Sequence, residues 1–112
     1  MPNDPGRPNA LLRRPIAATL EERASRARMR VRVVALTTDT LEFVAGRSLP
    51  PGTRCTLTIR DASPLDIELT ITAASSAMRD LFACAAIIVR VRDRDRARFV
   101  ALVGRRRVTQ PA

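Results

Sequence analysis

The chain has 112 residues, 46% of them hydrophobic, which is enough for one modest core and too little for two domains. Its 20 basic residues outweigh 11 acidic ones to leave a formal charge of +9, and every basic residue is Arg, a bias that genome base composition produces as readily as selection for guanidinium chemistry. The absence of His, Trp and Tyr removes the commonest general acid/base and the best base-stacking side chains.

In chain order, Met1 to Ala10 is rich in Pro and Asn and has little to bury, so residues 1–12 read as a flexible tail. Pro15 sets the start of a first strand over Ile16 to Leu20, with a helical turn into Glu21, Glu22 and Arg23 as the competing assignment. From Arg28 the alternation is that of a half-buried strand. Met29, Val31, Val33 and Ala35 share one face, and Arg28, Arg30 and Arg32 share the other. Thr37 to Thr40 interrupt it with turn-compatible residues, after which Leu41, Phe43 and Ala45 alternate with Glu42 and Val44.

Pro50, Pro51 and Gly52 signal a reversal, since Pro presets its φ and Gly accepts a positive one. Cys55, Leu57 and Ile59 then form a strand, Asp61 to Pro64 a turn, and Leu65, Ile67, Leu69 and Ile71 the clearest period-2 pattern in the chain. Phe82 to Val91 is a continuous apolar run, expected as a central strand covered on both faces, with Val89 and Val91 opposed to Arg90 and Arg92. Asp93 is placed to cap a helix whose apolar side is Ala97, Phe99, Val100, Leu102 and Val103, with Arg94 and Arg98 facing water and Gly104 ending it. The expected organisation is a single domain over residues 13–103 and a basic tail over 104–112. Short antiparallel strands with one closing helix point to a mainly β fold, a small barrel without free strand edges.

No constellation of catalytic residues is present. Asp39 and Glu42 are explained by turn formation and solvent exposure, and the four glycines are too scattered to cradle phosphate. Cys55 and Cys84 are too few for a metal site and fit buried core thiols in a reducing compartment. No apolar stretch approaches the roughly 20 residues of a membrane helix, and the N-terminus has no signal-peptide apolar region, so a cytoplasmic location is expected.

The stretch Val33-Val34-Ala35-Leu36-Thr37-Thr38-Asp39-Thr40-Leu41-Glu42-Phe43, followed by Ser48 to Thr53 and Cys55 to Ile59, resembles the bacterial PilZ family. Phe82 to Ile88 and then Arg94 to Val103 are similar to that family's last strand and C-terminal helix. The resemblance implies a six-stranded antiparallel PilZ-like β-barrel with a C-terminal α-helix, no enzymatic activity, and cyclic di-GMP as a possible ligand. It implies a ligand site made by an Arg-x-x-x-Arg segment before the first strand and an Asp/Asn-x-Ser-x-x-Gly turn after the second.

Here Ala35 stands at the acid or amide position, Thr37 at the Ser position and Thr40 at the glycine position, while Arg13 and Arg14 are adjacent instead of four apart. Arg13, Arg14 and Thr37 are therefore carried over as candidate ligand-binding residues of a degenerate motif. The expected function is a signalling adaptor that works through protein partners. An authentic cyclic di-GMP receptor with atypical arginine geometry is an open alternative. So is a nucleic-acid-binding barrel using Arg28, Arg30 and Arg32 with Arg90 and Arg92, although three Phe as the only aromatics disfavour it.

Overall fold

The computed structural model describes residues 11–60 and 64–106, without the side chains of Leu11, Arg13, Arg105 and Arg106. Six strands, β1 (Leu11–Glu22), β2 (Arg28–Leu36), β3 (Thr40–Ala45), β4 (Arg54–Arg60), β5 (Pro64–Met78) and β6 (Leu81–Val91), precede one helix, α1 (Asp93–Arg106). The strands close into an antiparallel barrel in the order β1-β2-β3-β6-β5-β4. Alternation decides which side chains go inside. Val31, Val33, Leu41, Phe43, Cys55, Leu57, Ile67 and Leu69 are buried in one cluster, as the period-2 pattern requires.

β1 is longer than the expected first strand. It starts at Leu11 because Leu12 reaches the core, so residues 11 and 12 are strand and not tail; the rest of that tail lies outside the described residues. Its pairing with β2 slips between Leu11↔Ala35 and Ile16↔Val33, and Pro15, which has no N–H for the ladder, falls inside the slip. Gly52 carries the left-handed φ of 91° that the Pro50-Pro51-Gly52 turn demands. Asp61 to Ser63 of the next expected turn lie outside the described residues. β5 and β6 continue past the end of β4 as a two-stranded arm, a part of the chain whose small residues carry no strand alternation, and Asp80 turns it with φ of 61°.

α1 touches β1, β5 and β6. Because β1 and β6 are not neighbours in the barrel, a helix touching both spans its mouth. Phe99, Leu102 and Val103 join the core there, whereas Ala97 and Val100, expected on the apolar side, are exposed. Arg98 does not face water freely. It donates to the Asp95 carboxylate at 2.7 Å and to the Pro64 carbonyl at 2.9 Å, and so ties the helix to the start of β5. Asp95, only 6% exposed, is the buried acid of the first turn, a position the helix dipole favours; Asp93, expected as the cap, is solvated. Gly104 does not end the helix, which runs on to Arg106, since nothing there forces a left-handed φ.

Candidate functional site

Two neighbouring regions at one end of the barrel hold the chemistry. The first is the β2–β3 turn. Thr37 Oγ1 accepts the amides of Asp39 at 3.1 Å and Thr40 at 2.9 Å and lies 2.9 Å from Thr40 Oγ1, while the Thr37 amide donates to the Thr40 carbonyl at 2.9 Å. The hydroxyl expected to meet a ligand is engaged in closing its own turn. Ala35 is 2% exposed and offers no polar group. Arg14 is exposed on β1, within the slip between the Leu11↔Ala35 and Ile16↔Val33 pairs, and has no ion-pair partner among the described residues. The β1 segment thus runs beside the far end of the motif turn; the Arg13 side chain lies outside the described residues.

The arginine face does not form one surface. Arg28 is paired with Glu21 at 2.9 Å, leaving Arg30 and Arg32 unpaired among the described residues and exposed on β2. Arg32 is level with Val44 on β3, and Val44 with Ala83 on β6. Arg90 is seven residues farther along β6 (90 − 83), about 23 Å at ~3.3 Å per residue. Arg30 and Arg32 are therefore separated from Arg90 and Arg92 by most of a strand length.

The second region has no counterpart among the sequence-based expectations. β3 stops pairing with β6 at Thr40↔Ile87, and the Ile88 amide then donates to the Asp39 carbonyl at 2.8 Å. On the other side, Glu68 pairs with Arg90 but Leu69 pairs with Ile88, which leaves Val89 as the extra residue of a bulge. Regular alternation from Cys84 and Ala86 would have driven Arg90 into the core. The bulge resets the phase, so Val91 goes inside at 7% exposure and Arg90 outside, while Val89 is thrust out at 62% exposure. β6 is therefore not covered on both faces, and Val89 and Val91 do not share one: a closed barrel has a single interior, and Ile87 is 47% exposed on the outside.

Between this bulge, the β2–β3 turn and α1 lies a groove of about 360 Å³, lined by Asp39, Val89, Arg90, Arg96, Phe99 and Val100 among others. Its volume is at the low end of the roughly 300–1,000 Å³ typical of ligand clefts. Arg90 is opposite Glu68 in the ladder, but that carboxylate is held by Arg23 at 2.9 Å. Arg96 has Asp93 at 3.7 Å, with both side chains largely in water. The sequence signal for this region is the unbroken apolar run before Arg90, which exceeds what one buried face can absorb.

Neither thiol is a candidate nucleophile. Burial, reinforced by Glu22 and Cys84 and opposed by Arg47, pushes Cys55 from its ordinary 9.0 up to about 11. Burial also raises Cys84, against a backbone hydrogen bond at Leu49.

A closed six-stranded antiparallel barrel with a C-terminal helix across its mouth is a PilZ-like fold. Among solved structures, the Bacillus subtilis inhibitor of motility (MotI/DgrA) is similar to this chain, with a TM-score of 0.67 over 94% of this chain and 56% of that one. Identity between the two is 12%, so the likeness is one of fold, and this chain spans little more than half of that protein's length. No protein-family model and no curated protein matches the sequence.

Proposed function

We propose that this chain is a non-catalytic PilZ-like regulatory domain of bacterial second-messenger signalling, acting in the cytoplasm through a protein partner and not as a strong receptor for cyclic di-GMP. The observation that carries this reading is the self-contained β2–β3 turn. Ala35 is buried where the family has an acid or amide, and the Thr37 hydroxyl is occupied by the amides of its own turn. Each missing charge-assisted hydrogen bond forgoes about 1.5–3 kcal/mol, or roughly 10- to 150-fold in affinity. The name of the similar protein, an inhibitor of motility, supports control of motility as one setting for such a domain.

A second reading, direct binding of cyclic di-GMP, is favoured by one observation: Arg14 is exposed, unpaired among the described residues, and in the β1 slip that follows the Leu11↔Ala35 pair. Calorimetric titration of the full chain with cyclic di-GMP separates the two. The expected result is no binding at micromolar nucleotide. Micromolar or tighter binding that disappears in Arg13→Ala plus Arg14→Ala would overturn the proposal in favour of the receptor.

A further inference from the structure

We infer that the groove between the β2–β3 turn, the β6 bulge and α1 is the docking site for a segment of a partner protein that presents large apolar side chains flanked by carboxylates. This rests on the reading above that the domain acts through a protein, and it names the surface and the chemistry of that partner.

Three features of the groove converge on such a segment. The first is apolar exposure. Of the four large apolar side chains exposed among the described residues, Val89 at 62% and Val100 at 52% line the groove, and Ile87 at 47% lies two residues from Val89 on β6. The bulge that exposes Val89 is a specific backbone device that re-aims a side chain while keeping Arg90 out of the core.

The second is charge. Arg90 and Arg96 lie along the lining with one acid, Asp39; Arg96 has Asp93 at 3.7 Å, whereas Arg90 has no ion-pair partner among the described residues. A carboxylate on the incoming segment supplies the missing partner bidentately. The third is backbone. β6 continues from Val89 to Val91 after its last bond to the β3 side at Ile88, so an extended segment lying in the groove can take the place of the absent strand.

Other occupants fit less well. The one aromatic ring on the lining, Phe99, is 2% exposed and has no face to offer a nucleic-acid base. Residues 1–10, with one carboxylate, Asp4, and Met1 as the one large apolar side chain, and residues 107–112, with no carboxylate side chain, do not carry the required chemistry.

Selection from a displayed library of random twelve-residue peptides, with the full chain as target and Val89→Ser plus Val100→Ser as counter-target, tests the inference. Selected peptides are expected to carry at least two large apolar residues and a net negative charge. Synthesised, they should bind at least about tenfold more weakly to the double-serine chain and several-fold more weakly to Arg90→Gln plus Arg96→Gln. Arg30→Gln plus Arg32→Gln, which removes the same charge elsewhere, should leave binding unchanged.

All six positions lie on the outside of the fold, so unchanged thermal melts verify that the variants fold. Failure to select any peptide that prefers the parent chain overturns the inference. So does binding that follows Arg30 and Arg32, or a dimer in sedimentation that dissociates on Val89→Ser plus Val100→Ser, which would assign the groove to a second copy. The selection reads the groove whatever the nucleotide titration shows: tight cyclic di-GMP binding would sink the proposed function alone, and an empty selection would sink the groove alone.

Discussion

The β2–β3 turn and the β6–α1 corner sit side by side at one end of the barrel, and they use their polar groups in opposite ways. In the turn, Thr37 and Thr40 bond to each other and to the local amides, and Ala35 is sealed in the core. At the corner, Arg90 has no ion-pair partner among the described residues because Glu68 is committed to Arg23, and Val89 and Val100 are left in water. A region whose hydrogen-bonding capacity is spent internally contributes to stability; one with unspent charge and exposed apolar surface is available to another molecule. Thr37 and Thr40 thus spend their hydroxyls inside the turn, while Asp39 of the same turn lines the groove at the corner.

The largest test of this contrast removes the wall of the corner. Phe99→Ala is expected to cost about 3–5 kcal/mol, because a 2% exposed ring holds the helix across the barrel mouth. Urea unfolding reads the loss, and hydrogen exchange should show 93–106 opening before β2 and β3. If the turn and the helix open together, the two regions are one cooperative unit and the contrast breaks.

The next effect comes from the far end of the core, where Cys55 is opposite Glu22 in the β1–β4 ladder. The chain has neither Lys nor Tyr, so its thiols are the main side chains that titrate between pH 9 and 11. Folded Cys55 keeps its proton up to about 11 while the unfolded thiol loses it near 9.0, so stability is full below pH 9 and falls as pH rises toward 11. The expected loss is about 2–3 kcal/mol, because each tenfold difference in proton affinity between the folded and unfolded thiol is worth ~1.36 kcal/mol. Urea midpoints across this range should fall in the parent chain and fall less steeply in Cys55→Ala, where Cys84 still titrates; a flat parent profile would contradict the buried neutral thiol.

The smallest effect sharpens the contrast most. Thr37→Val orphans two amides and should cost about 0.5–1.5 kcal/mol, softened by water at a half-buried site, with groove binding unchanged. Val89→Ser should do the reverse, leaving the unfolding free energy within about 0.5 kcal/mol while weakening binding at the groove.

Most of the barrel is legible in the sequence alone. Strands β2, β3, β4 and the first half of β5 follow from period-2 alternation, and the Pro50-Pro51-Gly52 reversal follows from turn chemistry. Elements whose signals are not local read wrongly. β1 comes out short because Pro15 resembles a boundary when it stands in a slip of register, and α1 ends early because a glycine near a helix end resembles a cap. At the candidate site, the buried Ala35 and the turn-forming Thr37 are identifiable as residue types, but the occupation of the Thr37 hydroxyl is not, since it depends on the conformation of four consecutive residues.

The sequence by itself determined that this is one small, mainly β domain with a closing helix, because side-chain alternation and turn residues act over a few positions and are written in order along the chain. Tertiary structure alone decided where the unspent chemistry lies. The bulge at Val89 exists because β6 must satisfy β3 on one side and β5 on the other, and the groove exists because the helix and the β2–β3 turn arrive from distant parts of the chain. Register between strands and the meeting of remote elements are set by the closed barrel as a whole, so the groove at the β6–α1 corner exists only once the barrel has closed.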